Sequence, residues 1–194
     1  QGDPEGQFLL GLAFALGDGV KKDLVSAIEW YKKAVVQEHA DAQYALGLHY
    51  RNGNGIKQDD SIASVIFYKA SAQGHARAQV ALGHMYRLGE GVKLNDARAA
   101  FLYKKAANQG NPEGQYYLAN MYLLGTGVTK DEIEAMHWFQ LAANQEYGNA
   151  QYSLAAMLWN GVGTDQDETK AVYWFKKAAE KGNADAKNIL DNIL

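Results

Sequence analysis

The sequence predicts an all-α fold of stacked antiparallel helix pairs, and three observations carry that prediction. The first is a spacing. Gly17-Asp18-Gly19-Val20 returns as Gly53-Asn54-Gly55-Ile56, Gly89-Glu90-Gly91-Val92, Gly125-Thr126-Gly127-Val128 and Gly161-Val162-Gly163-Thr164, in equal steps of 36 residues. Self-similarity at such a period marks an array of units that bury a core only by stacking. The second is that other columns keep the same register: Gln7, Gln43, Gln79, Gln115 and Gln151; Leu10, Leu46, Leu82, Leu118 and Leu154; Ala27, Ala63, Ala99, Ala135 and Ala171; Ala34, Ala70, Ala106, Ala142 and Ala178. The third is that each period holds two helical courses with their own start and stop signals. The units run 6–41, 42–77, 78–113, 114–149 and 150–185, and 186–194 opens a sixth as a C-terminal capping helix, so that 1–194 reads as one solenoid.

Within a unit the elements follow in order. In the second, Ala42, Leu46, Tyr50 and Gly53 keep an i, i+4 course, and Gly47 beside Leu46 removes a side chain where a neighbouring helix must come close. This is helix A. Gly53 stands where a left-handed residue ends it. Asp23, Asp59, Asn95, Asp131 and Asp167 then stand at the N-cap of helix B, and Glu134 is placed to complete a capping box in the fourth unit. Helix B buries Ala63, Ile66, Phe67 and Ala70, with Trp30, Leu102, Trp138 and Trp174 in the Ile66 column. It ends in Gly74, Gly110 or Gly182, while Glu38 and Glu146 break that habit. The next helix starts behind Asp3-Pro4, Asn111-Pro112 or Asn183, with proline at its favoured first position. The unit repeats five times. Deep in the array the G-x-G is therefore a terminator and not a phosphate loop: the third glycine of the dinucleotide fingerprint would be Gln58, and no strand precedes it.

Composition narrows the function classes. A formal net charge of −3 and a sequence pI near 6.0 give no global basic field for nucleic acid or an anionic membrane. Cysteine is absent, which removes disulfides, thiolate nucleophiles and cysteine-based metal sites. Phe8 to Leu16 imitates the apolar core of a signal peptide, but the residues before it carry Asp3 and Glu5 and no Lys or Arg, and the run is far short of a membrane span. The chain does not begin with Met, so a targeting signal is expected, if at all, upstream; the location leans to the bacterial periplasm or the secreted space. Of the five histidines, His39 and His75 share the position before helix A and read as caps. None joins an H-E-x-x-H pattern, and no base and nucleophile pair stands out, so no cofactor, no metal and no catalysis are expected.

The pattern A-Q-Y-x-L-G-x-x-Y-x-x-G-x-G-I/V-x-x-D followed by A-x-x-x-Y/F-x-K-A resembles the Sel-one-like repeat (SLR) family, a 36-residue relative of the tetratricopeptide repeat. Leu46, Gly47, Tyr50, Gly53, Gly55, Asp59, Ala63 and Ala70 carry the resemblance, as do Trp174 to Ala179, and it covers practically the whole chain. Ala119, Ala155, Leu158 and Thr164 depart from it. The resemblance implies a right-handed superhelix with the A helices on the concave face, and a role as an adaptor that holds partner proteins or peptides. A cysteine-stapled branch is associated with penicillin-like ligands and cell-wall material; lacking cysteine, this chain stands outside it.

Function is expected where the repeat rule is silent. On helix A the outward columns are Ala15, Arg51, Arg87, Leu123 and Trp159, and Leu12, Leu48, His84, Asn120 and Ala156. Arg51, Arg77, His84 and Arg87 should form a basic patch flanked by Glu5, Asp41 and Glu113, and Tyr116, Asn120, Leu123, Tyr152 and Trp159 an apolar stretch. Together they suit an extended peptide with an acidic point and a bulky apolar residue. Phe8, Tyr44, Tyr116 and Tyr152 share a column that fits repeat packing as well as ligand contact. The rival reading is a carbohydrate or cell-wall binder using the Tyr and Trp rings. Phe8, Leu9, Leu12 and Leu16 leave apolar surface on the first unit that invites self-association. Lys32, Lys33, Lys104, Lys105, Lys176 and Lys177 read as a solvated outer face.

Overall fold

A computed structural model of the chain describes residues 2–193. Among them every regular element is an α-helix, and the chain divides into two compact units. The first, Gln1–Asn95, holds α1 (Pro4–Leu16), α2 (Leu24–Val36), α3 (Ala40–Asn52), α4 (Asp60–Ala72) and α5 (Ala76–Leu88). The second, Asp96–Leu194, holds α6 (Asp96–Asn108), α7 (Pro112–Leu124), α8 (Glu132–Asn144), α9 (Gly148–Asn160), α10 (Glu168–Glu180) and α11 (Ala184–Ile193). Within each unit every helix packs on the helix that follows it in the chain. The odd-numbered helices are the A helices and the even-numbered ones the B helices. Phe8 to Leu16, the imitation of a signal core, lies within α1, which is capped by Asp3 and begins at Pro4.

The local signals form as written. Gly17, Gly53, Gly89, Gly125 and Gly161 end the A helices with φ between 65° and 80°, the left-handed region in which a Cβ is costly. Asp23, Asp59, Asp131 and Asp167 each accept amide hydrogen bonds from the first turn of a B helix. The amides of these same four residues donate to the carbonyls of Phe14, Tyr50, Tyr122 and Leu158, so each cap also ties helix B to the helix A before it. That bond corrects the capping box at Glu134. With the Asp131 amide already engaged, the Glu134 carboxylate instead accepts from the Trp138 indole at 3.1 Å. Glu38 and Glu146 take left-handed φ values of 61° and 62°, the conformation Gly74, Gly110 and Gly182 adopt elsewhere; the turn geometry overrides the side-chain preference.

The second glycine of each G-x-G answers to packing. A Cβ at Gly91 would collide with the Asp60 carbonyl, one at Gly127 with the Asp96 carbonyl, and one at Gly163 would lie 2.5 Å from the Glu132 oxygen. Asp60, Asp96 and Glu132 open the B helices of the preceding repeats, so each turn presses backbone to backbone against the unit before it. At Gly19 a Cβ would meet nothing within 4 Å.

The core follows the columns. Ala27, Ala34, Ala42, Ala63 and Ala70 in the first unit and Ala106, Ala135, Ala142, Ala171 and Ala178 in the second are fully buried, as are Leu118 and Leu154. Gly47 faces Phe67, whose Cε1 would stand 2.5 Å from an added Cβ, so the small residue on helix A makes room for the aromatic ring on helix B. In α11, Leu190 enters the Leu46 column and is buried while Asp191 is exposed; Leu194, expected in the Tyr50 column, lies outside the described residues. The outer face of the B helices is less uniformly charged than expected, because α4 exposes Ile62, Val65 and Tyr68. Lys33 lies over the Trp30 ring at 3.7 Å and Lys105 over Phe101 at 4.8 Å.

The glutamine column is a socket for another glutamine. Gln37, at the end of α2, donates its side-chain amide to the Gln7 carbonyl oxygen at 2.9 Å, and Gln73 and Gln145 donate to Gln43 and Gln115, both at 2.8 Å. Side chains of the column are held in turn: the Nε2 groups of Gln79, Gln115 and Gln151 donate to the carbonyls of Ser71, Ala107 and Ala143.

Candidate functional site

Each helix A offers one side to helix B and the other to the variable columns. The aromatic column sits between the two. Phe8–Tyr31 and Tyr44–Phe67 have ring centroids 5.9 Å apart, and Tyr116–Phe139 and Tyr152–Phe175 5.8 Å. The same tilted pair at nearly the same separation in four repeats makes the column a packing device. Phe8 is accordingly half-buried against Tyr31 and His39, which removes it from the exposed patch of the first helix; Leu12 is also half-buried, whereas Leu9 and Leu16 are 51% and 68% exposed.

In the first unit, Arg51 and the two carboxylates Glu5 and Asp41 already have partners within the protein. Arg51 bonds Glu90 at 3.0 Å, bridging α3 to the G-x-G turn of the next repeat. His39 and His75 cap as expected: their Nδ1 atoms accept from the amides of Ala42 and Ala78, which leaves the proton on Nε2, and Nε2 faces Glu5 at 2.9 Å and Asp41 at 3.1 Å. Their rings stack on Phe8 and Tyr44 at 5.1 and 4.9 Å. Glu5 and Asp41, expected to flank the arginines, face the histidine caps. Arg77 is exposed, and His84 and Arg87 are half-buried.

The second unit is built from rings. Tyr147 takes the N-cap position of α9 with no side-chain cap bond, and packs instead on Tyr116 at 5.3 Å, which also meets Tyr117 edge-on. Burial, with smaller contributions from Tyr117 and Glu113, pushes the Tyr147 phenol up to about 12. Asn120 turns its amide onto the Tyr116 carbonyl, and Leu123 is half-buried against the core. Tyr152 and Trp159, seven residues apart on α9, both rest on Phe175, at 5.8 and 6.4 Å. Between them and α11 lies a pocket of roughly 300 Å³ lined by Tyr152, Ala156, Trp159, Phe175, Ile189 and Ile193, with Asn160 and Asn192 among its lining residues. The amides of both asparagines bond their own helices, through Ala156 and Asn188. Sequence columns found Tyr152 and Trp159; they missed Ile189 and Ile193, because a sixth helix A stands outside the five full repeats.

No group of three or more potential metal-ligating side chains is found among the described residues, and none of the described helices is long and apolar enough to cross a membrane.

Fold and site together define an α/α repeat scaffold with a variable face on its A helices. The Sel1 repeat profile matches residues 4–35, 40–75, 76–111, 112–147 and 148–183, and the chain belongs to the Sel1 repeat family, whose members are typically non-enzymatic scaffolds and generally protein-interaction modules. It is similar to a protective antigen of uropathogenic Escherichia coli strains that displays an SLR fold, with 35% identity and a TM-score of 0.92 over 98% of this chain. It spans 41% of that antigen's length. A Sel1 repeat protein from Oxalobacter formigenes is 34% identical, with a TM-score of 0.93, over 98% of this chain and 76% of its own. An immunity protein from Pseudomonas aeruginosa, 22% identical with a TM-score of 0.61 over 94% of this chain and 67% of its own, shares the fold alone. Among curated proteins none has a sequence that matches this one.

Proposed function

We propose that this chain is a non-catalytic interaction module that grips an extended peptide or a partner domain on the face formed by its A helices, with Trp159 as the anchor. One observation carries the reading: Tyr152 and Trp159 share their packing against Phe175 and still leave a pocket open beside α11. A pocket of that size, mostly apolar and flanked by two side-chain amides, suits one aliphatic or aromatic side chain of a partner. The basic residues of the first unit have a smaller part than their charges suggest, because Arg51 already holds Glu90.

A carbohydrate binder is the rival, since Tyr152 and Trp159 could stack on a sugar ring. The two readings separate in a paired experiment. The parent chain and Trp159→Ala are used as baits in a lysate of the source organism and on a glycan array. A protein partner retained by the parent and lost by the variant supports the module. A defined glycan bound with no protein partner overturns it.

A further inference from the structure

The fifth glutamine socket differs from the others. Where Gln37, Gln73 and Gln145 stand in their repeats, this repeat has Lys181. The Lys181 backbone, φ −85° and ψ 5°, matches that of Gln73, φ −80° and ψ 2°, so the side chain leaves the chain in the same direction. Its ammonium is nevertheless drawn away to Glu146 at 2.7 Å. Gln151 keeps the orientation of its counterparts, its Nε2 donating to Ala143 at 3.2 Å, and its Oε1 is buried with no hydrogen-bond partner among the described residues. Gln151 is only 2% exposed. A buried carbonyl without a donor is costly, and in the sockets of Gln7, Gln43 and Gln115 a primary carboxamide fills that role.

Gln151 is among the residues lining a groove of about 570 Å³ between α8 and α10, together with Tyr173, Trp174, Lys177 and Lys181. The groove is electrically balanced, since Lys177 holds Glu180 at 3.1 Å and Lys181 holds Glu146. It therefore favours a neutral donor over an ion. The Tyr173 and Trp174 rings, in edge contact at 5.2 Å, give an apolar wall for the methylenes that carry such a donor.

We infer that this groove is a second peptide-docking site, separate from the Trp159 pocket, which receives the side-chain carboxamide of a glutamine or asparagine from a partner. The incoming N–H bonds Gln151 Oε1 and completes the ladder that Gln145 completes on Gln115. The sequence itself supplies the test, because Lys181→Gln would fill the socket from within.

The probe is a displayed library of randomised extended peptides, panned separately on the parent chain, on Lys181→Gln and on Trp159→Ala. The expected result is a set of peptides sharing Gln or Asn at one position, bound by the parent and by Trp159→Ala and weakened about ten-fold or more by Lys181→Gln. The Lys181→Gln chain should also melt about 2–4 °C higher, since it satisfies Gln151 internally, which shows that lost binding is not lost folding. Peptides without a shared Gln or Asn, equal binding to parent and Lys181→Gln, or no enrichment at all would overturn the assignment. Loss of the same peptides on Trp159→Ala would place them in the other pocket and overturn it equally.

Discussion

The two compact units solve the same junction in different ways. Ahead of α3 and α5 in the first unit stands a histidine that caps the helix, stacks on an aromatic ring and reaches a carboxylate on the preceding helix A. Ahead of α7 and α9 in the second, the tasks are divided: Asn111 caps Gly114 at 2.8 Å, and Tyr147 packs among tyrosines without capping. The histidine solution draws charged neighbours into internal bonds. The aromatic solution gathers Tyr116, Tyr117 and Tyr147, and a separate set of rings, Tyr152, Trp159 and Phe175, borders the pocket beside α11. Closely similar N-cap geometry, with φ between −64° and −75°, thus supports two surface chemistries.

The largest expected effect tests what the units share. Leu82 in the first and Leu154 in the second are both buried in the same column. Truncating either to Ala should cost about 2–5 kcal/mol. Denaturant melts of the two variants check this, and a loss below about 0.5 kcal/mol at either position would break the common register. Next comes the repeat-to-repeat contact. Gly91→Ala suffers both the left-handed φ and a collision with the Asp60 carbonyl, about 2–4 kcal/mol. Gly19→Ala suffers only the first, about 1–2 kcal/mol. Equal losses would show that the second glycine serves the turn alone.

The junction residues give smaller and more specific effects. His75→Ala removes a cap, a stack and a carboxylate bond and should cost about 1–2 kcal/mol, against about 1 for Asn111→Ala, which removes a cap. Tyr147 is tested by alkali. Its phenol is raised above the ordinary value of 10.0 to about 12, so the folded state favours the neutral form. The stability this lends is present below pH 10 and lost as pH rises towards 12. Tyr147→Phe should make that alkaline loss shallower, and an unchanged slope would assign it to other tyrosines.

Much of this architecture was legible in the sequence because backbone rules are local. A terminating glycine, an aspartate or asparagine cap and an alanine column depend on neighbours within one or two turns, and the 36-residue period repeats each signal five times. Contacts between repeats were harder to read. Arg51 finds Glu90 39 residues on, and Glu134 chooses Trp138 over its cap because the Asp131 amide is already bonded to Tyr122. The Gln145-to-Gln115 pairing spans 30 residues, beyond the reach of any local pattern. The lining of the proposed site was legible in part for the same reason. Tyr152 and Trp159 lie in recognised columns, whereas Ile189 and Ile193 belong to α11, outside the five full repeats whose columns were compared.

The most direct test of Trp159 as the anchor compares three variants against a captured partner at low and high salt. Trp159→Ala should weaken binding by about 2 kcal/mol or more with little salt dependence. Arg87→Glu should weaken it less and in a salt-sensitive way, and Arg51→Glu should owe part of its effect to the broken Glu90 contact, visible as a lower melting temperature. If Trp159→Ala folds and binds as tightly as the parent while Arg87→Glu abolishes binding, the basic face of the first unit is the site and the account of the aromatic pocket is wrong.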